Sequence, residues 1–199
     1  MRYDSEHKER TRQRVLTEAA NAIREVGPDR IGVAGLMAKA GLTHGGFYAH
    51  FKSKDDLVAE AISQMFEDSY GNFIRWTRDR TPAEGLATFI DRYVSAVHRD
   101  RPDRGCPIPS LSGDLARMPV AARARFTLGV KRLTGAVAGL LQEMGRADPE
   151  RLAASTVAEM VGALALSRAV DDPAMSDRIL ETSREMLKAR LGIATLTTP

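Results

Sequence analysis

Cysteine is almost missing from this 199-residue chain. The single copy, Cys106, excludes an intrachain disulfide and fits a reducing, cytoplasmic setting. Histidine is scarce too. His44 and His50 stand six apart and would face different sides of a helix, and no His/Cys cluster has metal-ligand spacing, so no metal or other cofactor is expected. No apolar run follows a basic start, so no secretory signal is expected. No uninterrupted apolar stretch is long enough to span a membrane. There is no strand-like alternation, low-complexity segment or internal repeat. No nucleophile–base pair, carboxylate pair or Gly-Lys-Ser/Thr phosphate loop is present, which argues against an enzyme.

What the chain does have is helix signals and an uneven charge. The formal net charge is +3. Ten basic and six acidic residues precede residue 55, a net of +4, which leaves −1 for the rest. A basic head on a near-neutral body is an electrostatic footprint for a polyanion. Some of Lys8, Arg10, Arg12 and Arg14 also read simply as a solvated face of the first helix. That helix is expected from about Asp4 to Val26, with Val15, Ala19, Ala22, Ile23 and Val26 on one stripe and Gly27-Pro28 as its stop.

The densest signal is Val33 to Lys54. Val33, Leu36, Met37 and Ala40 form a short apolar helical stripe. Gly41 ends it, since glycine enters the left-handed conformation at least cost. Leu42 plugs the turn, and Thr43 is placed to N-cap a second helix, His44 to Phe51, through its hydroxyl. Phe47 and Phe51, four apart, anchor one face. Gly45 and Gly46 allow backbone to approach a surface closely. His44, Tyr48 and His50 remain to donate to phosphates or base edges. Such a pattern is a helix-turn-helix, a DNA-reading device. Helix–Gly–helix corners also occur in all-α domains that bind no DNA.

With Gly41-Leu42-Thr43, Tyr48-Ala49-His50-Phe51 and Lys54-Asp55-Asp56-Leu57, the segment Ala34 to Leu57 resembles the DNA-binding domain of the TetR family of bacterial transcriptional repressors. The resemblance covers the first quarter to third of the chain; the remainder matches only in helical layout. It implies an all-α fold, with an N-terminal three-helix DNA-binding head and a C-terminal helical effector-binding and dimerisation domain. The division is expected at residues 1–53 and 54–199. It further implies that Thr43, Tyr48, His50 and Lys54 hold phosphates while the segment from Thr43 to His50, including His44, Gly45 and Gly46, enters a major groove. One position departs from the family: Gly32 stands where a Thr is frequent, so a hydroxyl contact to phosphate is lost there.

Beyond Lys54 the caps mark helix after helix. Ser53 with Asp56 opens a long helix expected to reach about Arg80, and Thr81-Pro82-Ala83-Glu84 opens another to about Arg99. Arg101 to Pro109, with three prolines, reads as loop, followed by a short helix near Ser110 to Arg117. Pro119 opens a helix to about Met144. Asp148-Pro149 and Asp172-Pro173 open the last two by a cap-plus-proline device. The aromatics Phe66, Phe73, Trp76, Phe89, Tyr93 and Phe126 fall on three of these helices. They read as core, yet the resemblance implies an effector pocket among them, and an apolar pocket suits a small lipophilic effector. Asn72, Tyr93, His98 and Gln142 are its polar candidates. The penultimate helix is apolar almost all round from Val157 to Leu166 and must be covered on every face. The resemblance implies that with the last helix it forms a four-helix homodimer bundle, through Val157, Val161, Leu164, Ile179 and Met186. Cys106 follows Arg99, Arg101 and Arg104, cations that lower a thiol pKa. It reads either as a redox or electrophile sensor or as a plain packing residue.

The expected function is therefore a cytoplasmic, homodimeric repressor that binds double-stranded palindromic operator DNA and is released by a small molecule. A repressor switched by oxidation or alkylation of Cys106, a DNA-binding activator and an architectural DNA protein are the alternatives.

Overall fold

A computed structural model describes the backbone of residues 2–193 and the side chains of residues 6–193. The chain ends counted in the charge and domain ranges above, including the side chains of Arg2 and Asp4, lie outside the described residues. Among those described, every regular element is helical: α1 (Arg2–Val26), α2 (Val33–Lys39), α3 (Lys54–Thr77), α4 (Pro82–Tyr93), α5 (Ala96–Arg99), α6 (Pro107–Leu111), α7 (Val120–Glu143), α8 (Pro149–Ala169) and α9 (Pro173–Leu191), with 3-10 turns at His44–Ala49, Pro102–Arg104 and Leu115–Arg117. The chain forms two compact units. One holds the residues up to Asp68 with Cys106–Gly129; the other holds Ser69–Gly105 with the residues from Val130.

In the first unit α1 buries Val15, Leu16, Ala19, Ala20 and Ile23. The stripe is rotated from the expected one: Leu16 and Ala20 replace Ala22 and Val26, and Val26 is 47% exposed. The helix stops directly after Val26 because Gly27 takes a positive φ of 82°. From α3 come Leu57, Val58, Ala61, Ile62 and Met65, all buried. A polar ladder joins α1 to α3. Arg12 pairs with Glu60, Gln13 donates to Gln64 at 2.9 Å, and the buried Arg24 donates to the Met65 carbonyl at 3.3 Å and to Asp68 at 3.2 Å. Arg24 is 4% exposed, so these bonds keep a buried cation from going unmatched.

The segment read as loop before Ser110 is already helical. Pro107 occupies the first turn of α6, where its missing N–H costs nothing, and Cys106 is the residue that precedes it. Ile108, Leu111 and Leu115 are buried. In α7, Gly129 lies against the Phe66 ring so closely that a Cβ there would sit 2.1–2.3 Å from three ring carbons.

In the second unit the capping box at Thr81 forms as expected. The Thr81 hydroxyl accepts from the Glu84 N–H, and the Glu84 carboxylate accepts from the Thr81 N–H at 3.0 Å. The helix it opens does not reach Arg99. It breaks at Val94, and Ser95 caps a new short helix by accepting from the His98 N–H at 3.2 Å. The carbonyls freed by the break are taken up elsewhere: His98 Nδ1 bonds the Tyr93 carbonyl at 2.8 Å and Arg184 donates to that of Val94 at 3.0 Å. An ion pair between the buried Lys188 and the half-buried Asp91, at 2.7 Å, ties α9 to α4. Arg99 donates to Ser176 and Asp177 on α9, while Arg168 on α8 donates to the carbonyls of His98 and Arg99. Of the two Asp-Pro caps, only Asp172 caps with its side chain, accepting from Ala174 and Met175. Asp148 adopts a left-handed φ of 51° instead, and its carboxylate turns to Arg151.

Candidate nucleic-acid interface

The head is built around a tight corner. Gly41 takes φ +73°. Its N–H reaches the Ala38 carbonyl at 3.0 Å and the Leu42 N–H reaches that of Met37 at 2.8 Å. Those two bonds are the Schellman closure that a C-terminal glycine permits. At the other end of α2, Gly32 caps only through its carbonyl, which accepts from Leu36 at 3.1 Å.

After the corner the structure differs from the expectation in two ways. His44–Ala49 is a 3-10 turn rather than an α-helix, and the Thr43 side chain makes no capping bond. Two successive glycines disfavour an α-helix by about 1 kcal/mol each, and a six-residue piece is short enough for i→i+3 bonding. The Thr43 carbonyl accepts from Gly46 at 3.1 Å in place of the hydroxyl. Phe47 and Phe51 anchor the turn, 1% and 2% exposed, with ring centroids 5.6 Å apart. Each buried ring contributes roughly 2–3 kcal/mol.

The candidate DNA-contacting groups lie on the outside. Thr43, His44 and Gly45 are exposed, Gly46 and His50 are half-buried, and Tyr48 is 71% exposed with its ring edge-on to Phe47. A Cβ on Gly45 would meet nothing within 4 Å, and one on Gly46 would make only ordinary contacts with Met37 and Thr43. Packing inside the chain therefore does not require glycine at either place. Lys54 opens α3 and donates to the Asp29 carbonyl at 3.2 Å. The cap beneath it is a variant box: the Asp56 N–H bonds Ser53 Oγ at 3.1 Å, and the Asp56 carboxylate accepts from Lys52 N at 3.0 Å, one residue earlier than in the standard box.

His50 was singled out by its motif, but its neighbours on α1 were not. Burial, then the charges of Lys8 and Arg12, hold its pKa below the ordinary histidine value, and Glu9 opposes them. Arg12 also lies 5.1 Å over the Phe51 ring. The i, i+4 spacing of Lys8 and Arg12 on α1 is the signal that could have placed them together.

The six aromatics of the expected effector site are divided. Phe66 and Phe126 pair edge-to-face at 5.5 Å in the first unit. In the second, Phe89 is the hub, with Phe73 at 5.0 Å, Trp76 at 6.3 Å and Tyr93 at 5.6 Å. His98 stands edge-on to Tyr93 at 4.8 Å, whereas Gln142 is exposed and Asn72 accepts from Arg75. An open concavity of about 510 Å³ at the α3–α4 corner, lined by Arg75, Arg78, Asp79, Arg80, Glu84 and Thr88, is polar and does not suit a lipophilic molecule.

The interface candidates also divide. Val157 and Leu164 are buried within the subunit. Val161 and Ile179 are half-buried and Met186 is 60% exposed. Leu166 at 59% and Met175 at 45% are exposed as well. Cys106 is 5% exposed.

Comparison with known proteins fits this geometry. Residues 15–61 match the profile of bacterial regulatory proteins of the tetR family, and residues 82–183 match that of the tetracyclin repressor-like C-terminal domain. No curated protein matches the chain. Among solved structures, a TetR transcriptional regulator from Chloroflexus aurantiacus J-10-FL is similar at 24% identity, with 94% of this chain and 96% of that chain covered and a TM-score of 0.81. E. coli NemR in its reduced form is similar at 16% identity, covering 94% and 100%, with a TM-score of 0.79. A TetR-family regulator from Agrobacterium tumefaciens follows at 20%, covering 90% and 98%, with a TM-score of 0.76.

Proposed function

The chain belongs to the tetR family of bacterial regulatory proteins, and from that premise we propose that it is a cytoplasmic homodimeric repressor, bound to a palindromic operator and released by a small lipophilic effector. The observation that carries the DNA reading is the head surface: exposed Tyr48, Thr43 and His44 around two glycines that internal packing does not require. Residues 1–53 act as the reading head and residues 54–199 as the effector and dimer domain. Thr43, Tyr48, His50 and Lys54 hold phosphates, and Gly45 and Gly46 let the backbone come close to the groove.

For the dimer, the support is apolar surface that the subunit leaves open on its last two helices, where Leu166, Met175 and Met186 are exposed and Val161 and Ile179 half-buried. A second copy covers it, and the two-fold pair of heads matches the two-fold symmetry of an operator. The effector is recognised among the aromatics gathered on Phe89, with Phe73, Trp76 and Tyr93 as its wall. It acts by favouring a form in which α3, 24 residues and about 36 Å long, carries its head out of register with the half-site. No catalytic role is assigned to any residue.

A second switch stays open because the similar E. coli NemR structure is described as a reduced form: oxidation or alkylation of Cys106. Its 5% exposure requires the local structure to open before a reagent arrives. Cys106→Ser that binds DNA normally but resists release by a thiol reagent supports this switch, and equal release curves remove it.

The test of the main reading is competition. Anisotropy on labelled DNA from upstream of the gene should show strong preference over mixed-sequence DNA, on the order of 10³-fold or more. Equal affinity for both would leave only an architectural DNA protein.

A further inference from the structure

His50 closes the 3-10 turn of the head, its N–H on the Phe47 carbonyl at 2.9 Å. Its side chain is half-buried. Nδ1 is shut off from solvent and has no hydrogen-bond partner among the described residues. Three charged groups of α1 act on the ring: Lys8 and Arg12, which oppose protonation, and Glu9, which favours it. From α3, Glu60 pairs with Arg12. The ring stands 6.4 Å from Phe51. His44 and Tyr48 are the titratable groups of its own turn, and Lys52 and Lys54 follow it. A second proton would place an unpaired N–H in a closed space next to two cations. Burial and these charges therefore disfavour the imidazolium in the free head and hold the pKa of His50 below the ordinary value.

We propose that operator binding draws a proton onto His50, and that Lys8 and Arg12 grip the same stretch of phosphate from α1. This rests on the DNA-binding reading given above. A phosphate at Nε2 reverses the local field. It accepts from Nε2–H and offsets the charge of Lys8 and Arg12, and both effects favour the imidazolium. His50 thus titrates at a higher pH in the complex than in the free head, where its pKa lies below the ordinary 6.5. Between those two values binding takes up a proton, so affinity rises as pH falls. Above the window both states are neutral and the profile is flat. Each head takes at most one proton, which limits the slope to about tenfold per pH unit per head. The head would then bind its operator more tightly in an acidified cell.

The experiment is operator anisotropy on the full-length protein from about pH 5.5 to 8.5, at fixed ionic strength. Affinity should rise at least threefold per unit toward acid over part of that range. His50→Gln should lose the slope, its affinity holding one level across the range whatever that level is. His44→Gln should retain the slope. Lys8→Gln should weaken binding at every pH and flatten the profile. A flat wild-type profile, or a slope unchanged in His50→Gln, overturns the proposal. Absence of operator binding at every pH would instead refute the DNA-binding reading beneath it.

Discussion

Gly129 and Gly135 lie in the same helix, and alanine at the two positions should have opposite effects. In an exposed helix interior, Gly→Ala gains roughly 0.5–1 kcal/mol from lower unfolded-state entropy and better helix propensity. Gly135 is exposed and a Cβ there meets nothing within 4 Å, so Gly135→Ala should stabilise by about that amount. At Gly129 a Cβ falls 2.1, 2.2 and 2.3 Å from three carbons of the Phe66 ring. These are the inner atoms of a ring that is 5% exposed and held edge-on by Phe126, so it cannot swing clear. Overpacking of this kind costs about 1–3 kcal/mol, and so severe an overlap belongs at the top of that range. Subtracting the helix gain leaves a net loss of about 2 kcal/mol, or on the order of 4–8 °C in Tm for a chain of this size. Urea melts at equal protein concentration measure both variants. Adding Phe66→Leu should recover part of the loss at Gly129, since the two sites share one contact. A Gly129→Ala protein as stable as Gly135→Ala would refute the close α3–α7 crossing.

Three other outcomes follow from the packing. Gly45→Leu should leave the melting curve within about 0.5 kcal/mol of wild type, since its Cβ faces open space, yet abolish operator binding. Unchanged affinity would remove close backbone approach from the interface. Leu166→Glu changes a side chain that the isolated subunit leaves 59% exposed, so the fold should survive while sedimentation shows monomers. A persistent dimer would place the interface elsewhere. Asp91→Ala strands the Lys188 ammonium, whose side chain is only 5% exposed, and should cost about 3 kcal/mol, near the low end for a broken buried pair because Asp91 keeps 30% exposure. Lys188→Met should cost far less, and equal losses for the two variants would show that the charge was never isolated.

Local signals carried most of the architecture. Gly27, Gly41, the Thr81 box and Asp172 each end or begin a helix where their chemistry says, because those bonds close within five residues. What was illegible depends on partners far along the chain. Nothing near Val94 predicts a break, since the break is sustained by Arg184 and by His98 turning back on Tyr93. The α1 stripe keeps Val15, Ala19 and Ile23 but turns toward Leu16 and Ala20, which are covered by tertiary packing that periodicity does not show. Asp148 and Asp172 have the same Asp-Pro sequence, yet only Asp172 caps, because Asp148 is bent into the left-handed region after Gly145. In the head, the residue types were legible and the geometry was not. The glycines that mark the motif also turn the second helix into a 3-10 turn. The α1 charges beside His50 appear only once α1 is folded against it. The aromatic set was legible as a set, but its division into a Phe89-centred group and a Phe66–Phe126 pair was not.

The central claim is a two-fold pair of heads reading two half-sites on one face of DNA, about one helical turn apart. It is tested most directly by changing that spacing. Five base pairs inserted at the centre of the footprinted operator rotate one half-site by about half a turn, and ten restore the phase. The account predicts that the five-pair insertion reduces affinity to that for a single half-site, with two subunits bound to the intact operator. Full affinity for the five-pair operator, or one subunit per intact operator, would contradict it.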